Sequence, residues 1–353
     1  MAAKFYVVWA GRKPGIYRDW ESCRAQVDKF PGARFKSFGS RSEADAAYSG
    51  NRGVVASTGS TSASASAALA SAAVAKVAKA AKRRSAARSP KTWTAKDIAA
   101  LAIDVKIYAD GALGSRGAAL LADYSDEPGN RGLLIQSPEH LREIIDKAAA
   151  CGVQPAVHAI GDRANREVLD AYAALTAKQR QALRPRIEHA QVVAMDDIPR
   201  FAELGVIASM QPTHATSDMP WAGDRVGAER LRGAYAWRRY LDRATHMAFG
   251  SDFPVENVEP IPGLYAAITR QDAEGSPEGG WLPDQRLTLV EALDAFTRGA
   301  AYAGFAENEV GTLEPGMRAD FIVLSMDPHQ VRGRALLQIK VRSTWLDGRK
   351  VTE

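Results

Sequence analysis

The chain has 353 residues, 46% hydrophobic and 25% charged, with two cysteines and a formal net charge of +5. That length holds two or three domains. Two cysteines exclude a disulfide framework and a multi-cysteine zinc site. No apolar run approaches the ~18 residues of a membrane span, and Met-Ala-Ala-Lys-Phe-Tyr offers no secretory core, so a cytoplasmic location without membrane contact is expected. A net positive charge points to nucleic acid, but it is unevenly spread. Residues 1–50 carry nine basic and five acidic side chains, residues 51–96 nine and none, and residues 97–353 twenty-eight and thirty-six. A basic quarter precedes an acidic remainder.

In chain order, Lys4–Trp9 is a predicted strand of aromatic and β-branched residues. Gly11-Arg-Lys-Pro-Gly15 is a turn, and Ile16-Tyr17 begins a returning strand. Asp19 is the expected N-cap of a helix from Trp20 to Lys29, ended by Pro31-Gly32. Ala33–Phe38 is a third strand, and Ser40 with Glu43 caps a second helix. Cys23 reads as a small buried apolar residue. Exposed aromatics beside lysines make a stacking and phosphate platform; core residues of a small domain are the other reading of Trp20 and Phe35.

Phe5-Tyr6-Val7-Val8, Gly11–Gly15, Trp20, Cys23–Val27, Phe30-Pro31 and Ala33–Phe38 resemble the N-terminal hybrid-binding domain of eukaryotic-type ribonucleases H. The resemblance implies that Trp20 and Phe35 stack on a nucleic-acid strand, with Tyr6 nearby and Lys36 on phosphate. The implied partner of residues 1–50 is an RNA/DNA hybrid or double-stranded RNA. Ser37 departs from the pattern, where a second lysine is common. The module lacks the carboxylate cluster that cleavage requires, so no nuclease activity is expected.

Residues 51–97 form a linker rich in alanine, serine, lysine and arginine, with too little apolar surface to offset the entropy of ordering, and are expected to be disordered. Lys76, Lys79, Lys82, Arg83, Arg84 and Arg88 make the segment either a solubilising spacer or an electrostatic arm for phosphates.

From Ile98, strand-like runs alternate with helical patterns, the signature of βαβ units and a parallel sheet. The predicted strands are 105–109, 154–158, 186–189, 206–210 and 246–250; the helices include 139–150, 164–175, 196–204 and 228–242. Each strand runs into a polar residue: Asp110, His158, His189, Gln211 and Asp252. Polar residues at the carboxyl ends of successive parallel strands are the layout of a (β/α) barrel active site. Residues 319–324 and 344–351 are strands without helical crossovers.

The blocks Val105–Ser115, His158–Asn165, Arg186–Gln191, Gly250–Val255 and Gly311–Asp320 resemble the amidohydrolase-3 group, which includes N-substituted formamide deformylases. The resemblance implies a metal-dependent hydrolase of non-peptide C–N bonds acting on a small amide-type substrate. By position, Lys106 is the lysine that becomes carbamylated and bridges two divalent metals, zinc by the donor types. His158 and His189 are ligands of the second metal. Asp252 is a ligand of the first and the general base. Asp110 and Gln191 are second-shell or substrate groups, and His214, Trp221 and Trp281 are substrate candidates. Taken singly, Lys106 reads as a surface lysine, each histidine as a core residue and Asp252 as a helix N-cap.

The family places a His-x-His pair at the end of the first barrel strand. The six histidines here are His140, His158, His189, His214, His246 and His329, with no such pair. About five barrel strands are legible where closure takes eight. The fold class expected is therefore α/β: residues 98–310 an incomplete TIM-type barrel, residues 311–353 a C-terminal β-sandwich portion, behind a small α/β hybrid-binding module and its linker. The expected centre holds one ion rather than two, with weakened hydrolysis; exposed barrel edges favour a homodimer. A hybrid- or double-stranded-RNA-binding protein with a non-catalytic amidohydrolase remnant is the alternative.

Overall fold

The computed structural model describes residues 5–10, 12–13, 15–27, 34–38, 41, 44 and 104–352. The chain divides between residues 72 and 73 into two units. The predicted linker, 51–97, lies outside the described residues. Of the second helix predicted after Ser40, only Arg41 and Ala44 are described, both helical.

In the first unit, β1 (Phe5–Ala10) is the central strand of a sheet ordered β2-β1-β3, flanked antiparallel by β2 (Gly15–Tyr17) and β3 (Arg34–Phe38). The alternation of β1 turns Tyr6 and Val8 to one face, and Val8 packs there with Cys23 and Val27 of α1 (Trp20–Val27). Asp19 caps α1 as its sequence predicts, its Oδ1 accepting from Ser22 N–H at 2.7 Å.

The second unit is built on five parallel strands: β4 (Asp104–Tyr108), β5 (Gln154–Ala159), β6 (Arg186–His189), β7 (Ile207–Met210) and β8 (Met247–Phe249). They lie side by side in chain order, the sequence of neighbours found in a segment of a (β/α) barrel. The register sets Tyr108 opposite His158, His158 opposite Glu188, and Ala159 opposite His189. The strand ends that carry the predicted site residues therefore stand level.

Helices α2 (Pro138–Ala150), α3 (Asp162–Ala173), α4 (Ala177–Leu183), α5 (Ile198–Leu204), α6 (Pro212–Leu231), α7 (Trp237–Leu241) and α8 (Pro260–Thr269) follow in turn. Local chemistry starts them: Ser137 caps α2 with Pro138 at its first position, and Thr176 with Gln179 closes a capping box on α4. Their apolar faces meet the sheet in one core that includes Ile145, Val157, Leu169, Ile187, Phe201 and Trp237. Two short helices, α9 (Leu289–Asp294) and α10 (Ala300–Ala303), complete this layer.

Two sequence expectations change. The helix predicted over 228–242 is broken: α6 ends at Leu231, and the chain turns through Tyr235, at φ +47°, before α7 begins. The turn is held by Tyr235 N–H donating to the Gln191 carbonyl at 2.7 Å. The strand predicted over 344–351 is a hairpin of β10 (Val341–Leu346) and β11 (Arg349–Thr352). Asp347 and Gly348, both at positive φ, form its two-residue turn. With β9 (Phe321–Leu324) they make an antiparallel sheet ordered β11-β10-β9. Among the described residues no helix is long and apolar enough to cross a membrane.

Candidate active site

Lys106, His158 and His189 come from three adjacent strands and converge at one end of the parallel sheet. The His158 and His189 rings are 4.6 Å apart, edge to face. Tyr108, opposite His158 in the register, lies 5.2 Å from its ring, and Lys106 Nζ approaches the Tyr108 ring at 5.6 Å.

Burial holds both imidazoles neutral. The His158 pKa falls to about 4, first through desolvation and then through the Lys106 charge. His189 is pushed well below the usual range by desolvation, with His158 and Lys106 adding to it. The Lys106 side chain reaches solvent, yet its amine is also lowered. Desolvation is the main cause, opposed by Glu188 and Asp252.

Each histidine has a distinct hydrogen-bond state. His189 Nδ1 lies 2.8 Å from Gln211 Oε1. An amide oxygen only accepts, so Nδ1 carries the proton and Nε2 keeps a bare lone pair. His158 has a buried Nε2 with no hydrogen-bond partner among the described residues, 3.6 Å from Asp110 Oδ1. His214, at the start of α6, stacks on His189 at 5.7 Å, and its Nδ1 lies 3.2 Å from Gln191 Nε2. The two glutamines are exchanged: the one after β7 orients the β6 histidine, and the one after β6 orients the histidine after β7.

The backbone is strained here as well. His189 and Ala190 stand at φ +79° and +42°, and Asp252 at +55°, a region costly for residues with a Cβ. Asp252 begins no helix, since α8 starts at Pro260, so the N-cap reading is excluded. Its carboxylate acts electrostatically on both Lys106 and His214.

Asp110 is enclosed by backbone. It is 1% exposed and accepts from the backbone N–H groups of Ala119, Ile160 and Gly161 at 2.8, 3.0 and 2.9 Å. Desolvation nonetheless raises its pKa to about 7. It ties the loop after β4 to the end of β5. Gln191 is likewise buried, its amide on His214. Trp221 packs against the loop at Gly114, and Trp281 lies 5.2 Å from the Arg270 guanidinium.

Sequence reasoning missed the floor beneath the histidines. Arg186 joins Asp104, Glu188 and Gln154, and Glu188 accepts from Ser209 at 2.6 Å. Its signal was legible: charged residues at alternate positions of a strand otherwise read as core.

Two neutral imidazoles, one with its lone pair bared by a fixed tautomer, fit a divalent ion of the zinc type. Among the described residues no three of histidine, cysteine, aspartate and glutamate form a ready-made metal cluster. In the first unit, Trp20 and Phe35 are 44% and 43% exposed, and the Trp20 ring lies 5.6 Å from both Tyr6 and Phe35. Lys36 is also exposed.

Comparison with known proteins places both parts. The putative amidohydrolase YtcJ of Bacillus subtilis is 35% identical over 249 residues, which is 70% of this chain and 47% of that protein. The N-substituted formamide deformylase of Arthrobacter pascens is 29% identical over 222 residues, 62% of this chain and 40% of that one. An uncharacterized metal-dependent hydrolase from Pyrococcus horikoshii OT3 superposes with a TM-score of 0.58 at 36% identity. The match covers 64% of this chain and 45% of that structure. The chain thus spans less than half the length of these relatives. Ribonuclease H1 of Homo sapiens is 58% identical over 40 residues, 11% of this chain and 14% of that protein, so a ribonuclease H-like segment is joined to the larger part. The profile of the Amidohydrolase family (Amidohydro_3) matches residues 21–352, and the chain belongs to that family.

Proposed function

We propose that residues 98–353 form a metal-dependent amidohydrolase that cleaves non-peptide C–N bonds of small amide-type substrates. The reading is carried by one observation: a neutral His158–His189 pair beside Lys106, with the His189 proton held on Nδ1 by Gln211. His158, His189 and carbamylated Lys106 would hold one zinc ion. A bound ion of this kind polarises a carbonyl and acidifies a water.

The remaining work falls to side chains of this chain. Asp252 accepts the proton of the attacking water and returns it to the departing nitrogen. Its left-handed backbone aims the carboxylate from a short turn rather than a helix. Arg186 and Glu188 keep the floor under Lys106 fully paired, which favours a single arrangement of the charges. The chain carries no His-x-His pair, which among the described residues leaves Asp252 beside the carbamate for a second ion. Occupancy by one ion and slowed turnover follow.

The test is metal content after dialysis with and without bicarbonate, alongside hydrolysis of an N-substituted formamide. One equivalent of zinc retained more tightly with bicarbonate, and turnover lost in His189→Ala, support the proposal. Two equivalents, or zinc retention indifferent to both bicarbonate and His189, overturn it.

A second reading concerns residues 1–50, with 51–97 as their linker. The exposed Trp20–Phe35 pair is a surface on which bases stack, next to Lys36. We infer that this module binds an RNA/DNA hybrid or double-stranded RNA, and that it delivers the larger domain to nucleic acid whether or not the latter turns over.

A further inference from the structure

His214 has no part in the ligand set above, yet it is 7% exposed and stacked on a ligand. Its two nitrogens differ. Nδ1 faces the Gln191 side-chain amide at 3.2 Å, and Nε2 is buried with no hydrogen-bond partner among the described residues. The amide N–H donates, so Nδ1 accepts and the single proton of the neutral ring sits on Nε2. The ring is therefore a buried donor with nothing to donate to. An unmet polar group in a protein interior is unfavourable unless something fills its place.

Its neighbours state where that donor lies. The ring is beside His189, and Asp252 and Glu256 both act on it electrostatically. Glu256 is itself engaged, accepting from Ser217 Oγ at 2.8 Å. Asp218, one turn along α6, is taken by the Tyr235 hydroxyl. The ring stacks on His189 within electrostatic range of Asp252, and the acidic side chains near it have other partners or leave it unbonded.

We propose that His214 Nε2–H is the catalytic donor to the oxygen of the scissile carbonyl, holding the substrate amide and stabilising the oxyanion as water adds. This assignment rests on the amidohydrolase reading of the same site. It makes His214 the opposite of a metal ligand: Gln211 bares a lone pair on His189, and Gln191 presents a proton on His214. It also states a substrate requirement, an acceptor oxygen on the carbon attacked. Donors preorganised for a developing oxyanion contribute large rate factors because they need no reorganisation.

The test uses the full-length chain with labelled histidine. Long-range proton–nitrogen correlations are expected to show His214 as the Nε2–H tautomer, and Gln191→Leu to scramble it. Methylphosphonate, a tetrahedral oxyanion, is expected to move the His214 Nε2 proton downfield in the zinc-loaded protein. His214→Ala should lower kcat about 100-fold or more with little change in KM or zinc content. His214→Gln, which keeps an N–H donor, should recover part of the loss. An Nδ1–H tautomer, loss of zinc in His214→Ala, or an unchanged kcat overturns the assignment. Should the wild-type chain hydrolyse nothing, the hydrolase reading fails. The catalytic role of His214 falls with it, and the methylphosphonate shift then decides only whether Nε2–H donates to a bound oxyanion, its absence removing that as well.

Discussion

Gln211 accepts the Nδ1 proton of His189 at 2.8 Å, across the 22 residues that separate the end of one parallel strand from the end of the next. The bond chooses which nitrogen of a candidate ligand is bare before any ion arrives. Such outer partners are typically worth about 10–100-fold in metal affinity. Gln211→Leu is expected to weaken zinc binding by that factor in competition with a chromophoric chelator, with folding unchanged by circular dichroism. Gln211→Glu, still an acceptor, should bind at least as tightly as the parent. Equal affinity in all three proteins would remove the orienting role.

The acid limb of stability follows from Glu291. The Arg238 guanidinium grips its carboxylate at 2.8 Å through Nη1 and again through Nη2, while Thr288 closes a capping box on α9. The Arg238 bond is the chief reason that its pKa falls to about 2 from 4.5. A carboxylate depressed on folding contributes stability above its unfolded pKa and loses it as pH falls toward the folded value. The contribution of Glu291 to stability should therefore hold from pH 7 to about 5 and decline between about 4.5 and 2. Glu291→Gln keeps the cap oxygen and discards the ion pair. After discounting for solvent screening at this partly exposed pair, it should cost about 1 kcal/mol at pH 7, and the difference from wild type should vanish near pH 2. A constant difference across that range would assign the effect to the cap alone.

Gly161 precedes α3 at an ordinary negative φ, so its side chain is excluded by space rather than by backbone angle. A Cβ there would stand 2.0 Å from the Ala119 carbonyl oxygen. That carbonyl belongs to the residue whose own amide donates to Asp110, and it accepts from the N–H groups of Arg163 and Ala164, so it is not free to retreat. Gly161→Ala is expected to destabilise the larger unit by about 3 kcal/mol or more, read as a lower urea midpoint. Gly152→Ala makes a useful contrast. Nothing lies within 4 Å of its Cβ position, and only the left-handed φ of +69° costs it about 1 kcal/mol.

The aromatic row on the first unit leads to a binding prediction. Trp20→Ala should reduce affinity for an RNA/DNA hybrid about 10-fold or more, since stacking contributes about 1–3 kcal/mol per base. Lys36→Ala should weaken binding less but lower its salt dependence by about one ion. Titrations at two salt concentrations separate the two. Tight binding that ignores Trp20 would leave only nonspecific attraction to the basic linker.

Much of this organisation is legible in one dimension because its causes are local. Strand-like runs alternating with helical patterns mark β4 to β8, Ser137-Pro138 starts α2, and His158 and His189 fall at the ends of their strands, where a barrel keeps its chemistry. The breaks that escaped were likewise local in sequence but non-local in cause. The chain turns at Tyr235 to reach Gln191, and the Asp347-Gly348 turn was hidden inside one apparent strand.

The sequence by itself determined the two-part character of the chain, the parallel α/β segment and the residue types of the site. Only the tertiary structure decided what those residues are in chemical detail. It buried Asp110 against three backbone amides, set His189 and Asp252 in left-handed backbone, and gave neighbouring histidines opposite protons. The physical reason is that a tautomer, a desolvated amine and a strained φ are properties of surroundings. Gln211 lies 22 residues from His189, Gln191 lies 23 from His214, and Ile160 lies 50 from Asp110. No local pattern encodes partners at such separations; the packing of adjacent strands brings them within hydrogen-bond reach.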